Sequence, residues 1–514
     1  MKNKSYKLIF MFLSFACFAN AVTYYVRPDG NDENDGLSPQ TALLTVRTAL
    51  DKAIVDDDVI NISGTVNFHK DVVSLKSITK SITIQGDNKI TAVVVGTTTN
   101  GLRSMEIGTE SSMPNVVIEN LTFKDFNAAG VTGGGVIDYT QGTFTCRNVI
   151  FENNTARWGG AIEIRVPYFT EVANKVFIQD CYFKGNKALK IESNEVARGG
   201  AIYVYPSPTL YPNPLELTIE RCTFDSNISE YDGSALYIMM GTSEEVNKVI
   251  VQNCTFVNNV NKNGGVHPTH KTANLAAIYV RGIGEGAHNG EIKFINNTIA
   301  YNSNEKNGGH PGFHNGGYPN LTMINNLFFE NTHAGGNYSF RTTADMVESR
   351  NNIADVVYSV AEGFNKAAGS SSNIENATSE QLKLDESIAD NGGETPTLAL
   401  NAGSIALNSG YITGAPMLDQ RGFPREGNPD VGAFEAGFSA VKNVTYTQDL
   451  SSVLSVDRKG LVSKVFGNMR VFTVDGKCIR EGKVNEGQFI PLSAGLYVIL
   501  IDNANLQMTG KVVL

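Results

Sequence analysis

Residues 151–162 read FENNTARWGGAI, and the phrase keeps returning. It comes back as FKGN (183–186) with GGAI (199–202), and as FVNN (256–259) with AAIY (276–279). Aligned on the phenylalanine, the chain gives NLTF (120–123), NVIF (148–151), DCYF (180–183), RCTF (221–224), NCTF (253–256), NNTI (296–299) and NNLF (325–328). The spacings are 28, 32, 41, 32, 43 and 29 residues. A short alternating segment such as LTIER or VIVQN comes before, and Asn154, Asn186, Asn227, Asn259, Asn302 or Asn331 comes after. A constant local pattern at irregular spacing means one structural unit per repeat, with insertions at the corners. The units are rich in Val, Ile, Thr, Phe and Tyr, alternate with period two and are bounded by turn residues, so they are strands.

A repeat of about 30 residues built only from short strands fits one coil of a right-handed parallel β-helix, with coils roughly 4.8 Å apart. Leucine-rich repeats, at about 20–29 residues with fixed leucines, do not allow such long spacings or a place for the GGAI strand. In the β-helix reading Phe151 points inward between Phe123 and Phe183. The asparagines take left-handed corners and pair amide to amide from coil to coil. Gly159 and Gly160 turn where a Cβ would clash, and Ala161 and Ile162 start the next inward-facing strand. Cys181, Cys222 and Cys254 share one rung position, which suits buried free thiols better than disulfides.

The pairing of FxxN with GGAI resembles the repeat of the polymorphic outer-membrane proteins and of other right-handed parallel β-helix surface proteins, over roughly residues 116–331. YYVRPDGNDENDGLSPQTALLTVRTALDKA (24–53) is similar to the opening of many bacterial β-helix proteins, some polysaccharide lyases among them. The resemblance implies a short helix near TVRTALDKA that caps the first coil, within a cap at 22–60. PMLDQRGFPREGNPDVGAFEAG (416–437) resembles the closing segment named choice-of-anchor Q. Its Asp430 and Glu435 are expected to be structural rather than an acid–base pair, because nothing near them in sequence supplies a partner. After a linker at 438–443, residues 444–514 read as strand, Asp-Gly turn and strand in MRVFTVDGKCI, with further strands in AGLYVILID and TGKVVL. This resembles the type IX secretion C-terminal sorting domain of the Bacteroidetes, an Ig-like β-sandwich. That implies the type IX machinery as a partner and display outside the cell.

The start agrees with export. Three lysines, an apolar run LIFMFLSFACFA and a small-residue site at ANA read as a signal peptide over residues 1–21. No later stretch is apolar and long enough to span a bilayer, so no transmembrane segment is expected in the mature chain. The net charge is −10; setting aside the signal's three lysines and the tail's surplus of two positive charges leaves residues 22–443 at −15. Such a body repels nucleic acid and disfavours acidic polysaccharide unless calcium or a local basic cleft intervenes.

Chemistry has several candidate places. HPTH (267–270) and HPGFH (310–314) fall in corresponding loops of consecutive coils, with His333 on the same edge. His267, His270, His310 and His314 are therefore candidate ligands for Zn²⁺, or for a non-metal ligand, or they are polar loop tips. DGNDENDG (29–36) spaces acids and amides as calcium loops do, though turn formation explains it as well. Trp158, Tyr205 and Tyr211 suit sugar stacking or packing on the helix. A polysaccharide lyase needs a base and a charge neutraliser; Lys271, Arg281 and His288 are the outward candidates. The expected function is a secreted or cell-surface glycan- or host-surface-binding module, adhesin-like, with a polysaccharide lyase or glycoside hydrolase as the alternative.

Overall fold

A computed structural model describes residues 20–69, 75–96, 105–129, 133–168, 172–190, 196–206, 214–241, 247–262, 275–283, 289–305, 309–333, 335–425 and 427–437. In the tail it describes 454–457, 460–464, 467–473, 478–492, 496–503 and 506–513. The chain is a right-handed parallel β-helix followed by a small β-sandwich. A full coil contributes a strand to four faces in turn, and the faces are sheets of 12, 10, 7 and 9 strands, parallel apart from the antiparallel pair Thr332–His333 and Gly336–Asn337 that ends the seven-stranded one. Asn174–Gln179, Tyr182–Lys184, Lys187–Ala188 and Ile202–Pro206 are one such coil. The tail forms a three-stranded and a four-stranded antiparallel sheet. Among the described residues no helix is long and apolar enough to cross a membrane.

The interior is a set of columns. Phe123, Phe151, Phe183, Phe224 and Phe256 stack in register, with ring centroids closing from 5.7 Å to 4.5 Å along the helix. Beside them runs the amide ladder. Asn154 Nδ2 donates to Asn186 Oδ1 (2.9 Å), Asn186 to Asn227 (3.0 Å), Asn227 to Asn259 (2.9 Å), Asn259 to Asn302 and Asn302 to Asn331 (both 2.8 Å). Each ladder oxygen also accepts the backbone N–H of the asparagine one coil earlier. These residues do not take the left-handed turn themselves. The residue before each does: Asn153, Gly185, Ser226, Asn258, Tyr301 and Glu330 all have φ between 46° and 65°. The backbone reverses at that position so that the next amide can point inward.

The preceding corner repeats the device. Asn148, Asp180, Arg221, Asn253, Asn296 and Asn325 carry positive φ, and the residue after each points inward. That inward column starts apolar, with Val149, Cys181, Cys222 and Cys254. It then becomes a second amide ladder, Asn297 to Asn326 to Asn352 to Asn373. Cys146, Cys181, Cys222 and Cys254 are buried and free; the first two sulfurs lie 3.8 Å apart. The glycine pair has two tasks: Gly159 takes φ 61°, while a Cβ on Gly160 would meet the Gly200 carbonyl at 2.2 Å.

At the start, the strand Thr23–Val26 joins the largest sheet and the helix Val46–Lys52 lays Val46, Ala49 and Leu50 on the core. Asp32 accepts the N–H groups of Leu44 and Thr45, Asp35 that of Leu37 and Asn31 that of Glu33. The acids of DGNDENDG are thus turn-makers that fix the start of this helix.

Residues 394–437, which include the closing segment, form a strap along the side of the β-helix. Amides at the left-handed corners reach out to it: Asn351 to Ser409, Asn325 to Tyr411, Asn296 to Asp430 and Asn253 to Leu418. Farther back, Thr395 donates to the Arg221 carbonyl and Lys89 pairs with Glu394 at 2.8 Å. Asp430 and Glu435 do have a partner, contrary to the sequence expectation. Arg425, buried with them, donates to Glu435 at 2.9 Å, and Asp430 accepts the N–H groups of Asn408 and Ala436. Their role in this strap is structural.

Candidate functional site

The nine-stranded sheet carries an outward column as regular as the inward ones. Strand register places Ser77, Glu106, Asp138, Glu163, Tyr203, Tyr237, Tyr279, His314 and Arg341 one above another. Their neighbours in sequence, such as Ile137, Ile162, Ile164, Ile202 and Ile278, face the core, so alternation fixes these side chains outward. The column changes from acid to aromatic to basic along the helix.

At the acidic end Asp138 and Glu163 are fully buried. Register puts them one rung apart, and Arg165, two residues beyond Glu163, reaches Asp138 at 3.4 Å. Burial works against the Arg165 charge, yet Glu163 and then Asp138 outweigh it and its pKa rises. Among the described residues the cluster holds more carboxylates than cations in a dry setting, which is where electrostatics act strongly.

The aromatic middle forms its own core outside the solenoid, made of Tyr203, Tyr237, Met239, Ala276 and Tyr279. Tyr203 and Tyr237 stack at 5.3 Å, and Tyr279 meets His314 at 5.1 Å. Trp158 lies on Tyr203 at 5.5 Å and donates its indole N–H to the Val196 carbonyl. Tyr205 sits 6.3 Å from Tyr203. Both side chains are half-buried, and one face of Trp158 is spent on Tyr203 rather than open to a sugar. Tyr211 lies outside the described residues.

At the basic end His314 belongs to the strand Phe313–Gly316, not to the loop where the sequence pattern put it, and its ring is 4.8 Å from His310. His310 Nε2 lies 2.8 Å from Arg341 Nη1, and Arg341 pairs with Glu362. Burial pushes His310 down to about 3, helped by the Arg341 and His333 charges, and drives His314 well below the ordinary histidine value. The structure thus brings His310 and His314 together. His267 and His270 lie outside the described residues, as do Lys271 and His288. Arg281 stands beside Tyr237, which raises its pKa against the effect of burial. Among the described residues no three histidine, cysteine or carboxylate side chains are arranged to hold a metal ion.

Sequence reasoning missed Asp138, Glu163 and Arg341. The signal was present in the repeated phrase itself: GGVID (134–138), GGAIE (159–163), GGAIY (199–203) and GSALY (233–237) show the last position changing from acid to tyrosine.

Residues 148–164 match the Chlamydia polymorphic membrane protein repeat. No curated protein matches the sequence. Among solved structures, the complex of XylC with xylose is similar at 10% identity, covering 81% of this chain and 98% of that one, with a TM-score of 0.34. The catalytic domain of a GH87 alpha-1,3-glucanase in complex with tetrasaccharides is 14% identical, covering 64% and 67%, with a TM-score of 0.27. The PL6 family alginate lyase AlyGC is 13% identical, covering 74% and 55%, with a TM-score of 0.22.

Proposed function

We propose that this protein is an exported glycoside hydrolase whose outward column, covered in this structure, is uncovered to take a polysaccharide, with the buried Asp138 and Glu163 as its carboxylate pair. One observation carries the reading: two buried, outward-facing carboxylates in register on adjacent strands. Rung spacing of roughly 4.8 Å is close to the roughly 5–5.5 Å between carboxyl groups in retaining glycosidases. One carboxyl protonates the leaving oxygen while the other attacks the anomeric carbon to form a glycosyl-enzyme, which water then hydrolyses with the first carboxylate acting as base. Arg165 offsets part of their charge. A lyase instead needs a basic residue beside the acidic sugar, and the acidic end of the column supplies carboxylates.

The signal segment and the tail make the same protein a surface or secreted one, with the type IX machinery acting on residues 444–514. Deleting those residues is expected to leave the protein inside the producing cell. The test of function is the appearance of new reducing ends when the full chain is incubated with a panel of polysaccharides. Asp138→Asn and Glu163→Gln are expected to fold with their β-sheet spectrum intact and to lose activity by ~100-fold or more. Retention of the protein on one polymer without new ends would instead support a binding module, the adhesin-like reading.

A further inference from the structure

We propose that His310, His314 and Arg341 form a binding site for an oxyanion, the carboxylate or sulfate of an acidic glycan. A guanidinium can only donate, so His310 Nε2, 2.8 Å from Arg341 Nη1, must accept. A neutral His310 then carries its proton on Nδ1. That Nδ1 is buried and finds no acceptor among the described residues. His314 is 2% exposed, and neither of its ring nitrogens has a partner among the described residues. Neutral imidazole always keeps one N–H, so His314 presents a second buried donor without an acceptor.

Burial keeps both rings neutral, with His310 pushed down to about 3. Arg341 gives Nε to Glu362 and Nη1 to His310, and its Nη2 donates to no group among the described residues. Tyr358, 42% exposed, walls the cluster on its outer side, 4.9 Å from His310 and under the Arg341 guanidinium at 4.3 Å.

Buried polar groups in native proteins are almost always satisfied. What is missing here is an acceptor shared by imidazole N–H groups and a guanidinium, and an oxyanion is an acceptor only. A metal cation fits worse, because it would need imidazole lone pairs beside a fixed positive charge. The register sets His314 four rungs from Glu163, roughly 19 Å at the usual strand spacing. One polymer chain laid along the column would meet both ends.

The anion site stands on its own geometry; naming an acidic glycan as its source rests on the proposed function. The test uses the full chain with a galacturonic-acid oligomer, the neutral galactose oligomer of equal length and inorganic sulfate. Affinity is read by calorimetry and the imidazole N–H resonances by NMR. The acidic oligomer is expected to bind at least ~10-fold more tightly than the neutral one, and both it and sulfate to shift the His310 and His314 resonances. Arg341→Gln and His314→Phe should each abolish the preference; if the first variant does not fold, the second decides. Equal binding of both oligomers with unmoved imidazole signals overturns the anion site and spares the glycan reading. Sulfate shifts without binding of either oligomer sustain the anion site and remove the glycan reading. Unmoved imidazole signals with all three probes overturn the proposal.

Discussion

Replacing Asn227 by alanine tests whether the amide ladder holds the coils together. Asn227 Nδ2 donates to the Phe183 carbonyl at 3.0 Å and to Asn259 Oδ1 at 2.9 Å. Its Oδ1 accepts the Asn186 backbone N–H at 2.9 Å and Asn186 Nδ2 at 3.0 Å. The substitution breaks all four bonds and leaves the buried Asn186 N–H without its acceptor. Bonds of this kind contribute about 0.5–1.5 kcal/mol each, and a stranded buried group costs about 1–3 kcal/mol, so the loss should be roughly 3–9 kcal/mol. A comparison variant, Asn61→Ala, removes one exposed bond to Asp87 and should cost under ~0.5 kcal/mol. The assay is urea unfolding of the full chain by near- and far-ultraviolet circular dichroism; the free energies are read only if the transitions coincide. An Asn227→Ala midpoint indistinguishable from that of Asn61→Ala would refute the ladder as a source of stability.

Other outcomes follow from the same geometry. Gly160→Ala drives a Cβ to 2.2 Å from the Gly200 carbonyl and 2.6 Å from the Lys187 nitrogen, so it should cost ~3 kcal/mol or more and reach the soluble fraction poorly. Glu435 sits at about 7 in the folded strap against 4.5 unfolded, raised by burial and only partly pulled back by Arg425 and the Asp430 N–H. The folded chain holds that proton more tightly, so the group's contribution is complete below about pH 4.5 and is lost as pH rises through about 7. Melting temperatures between pH 5 and 8 should fall with pH, and Glu435→Gln should flatten that slope. The four free cysteines of the β-helix should resist a thiol reagent in the native chain and react on unfolding; fast native labelling of Cys222 would contradict the inward column.

The architecture was legible because a β-helix writes its rungs into the sequence. Phe123, Phe151 and Phe183 must repeat to stack, and Asn154, Asn186 and Asn227 must repeat to pair, so periodicity and contact are the same fact. The turn chemistry was read one residue off: asparagine's tolerance of left-handed backbone drew attention to the ladder amides, while the strain falls on Asn153, Ser226, Tyr301 and Glu330. The strap was harder to see. Its contacts, such as Lys89 with Glu394 and Asn253 with Leu418, join positions far apart in the chain, which no local pattern records. The acidic end of the outward column was missed for a different reason. Asp138 and Glu163 follow glycine pairs read as architecture, so the one variable position of a structural phrase was passed over, although variation within a fixed frame is where a site is grafted onto a fold. His314 and Arg341 meet only because their strands are register neighbours.

If the protein works as proposed, the outward column is where a glycan is held and cut. The most direct measurement is the structure of the Glu163→Gln protein soaked with an oligosaccharide that the wild-type chain cleaves or retains. Sugar rings are expected along the column, with a glycosidic oxygen within hydrogen-bonding distance of residue 163 and with Asp138 on the other side of the bond. Sugar bound on another face of the helix, while the residues of the column keep their present contacts, would contradict the proposal.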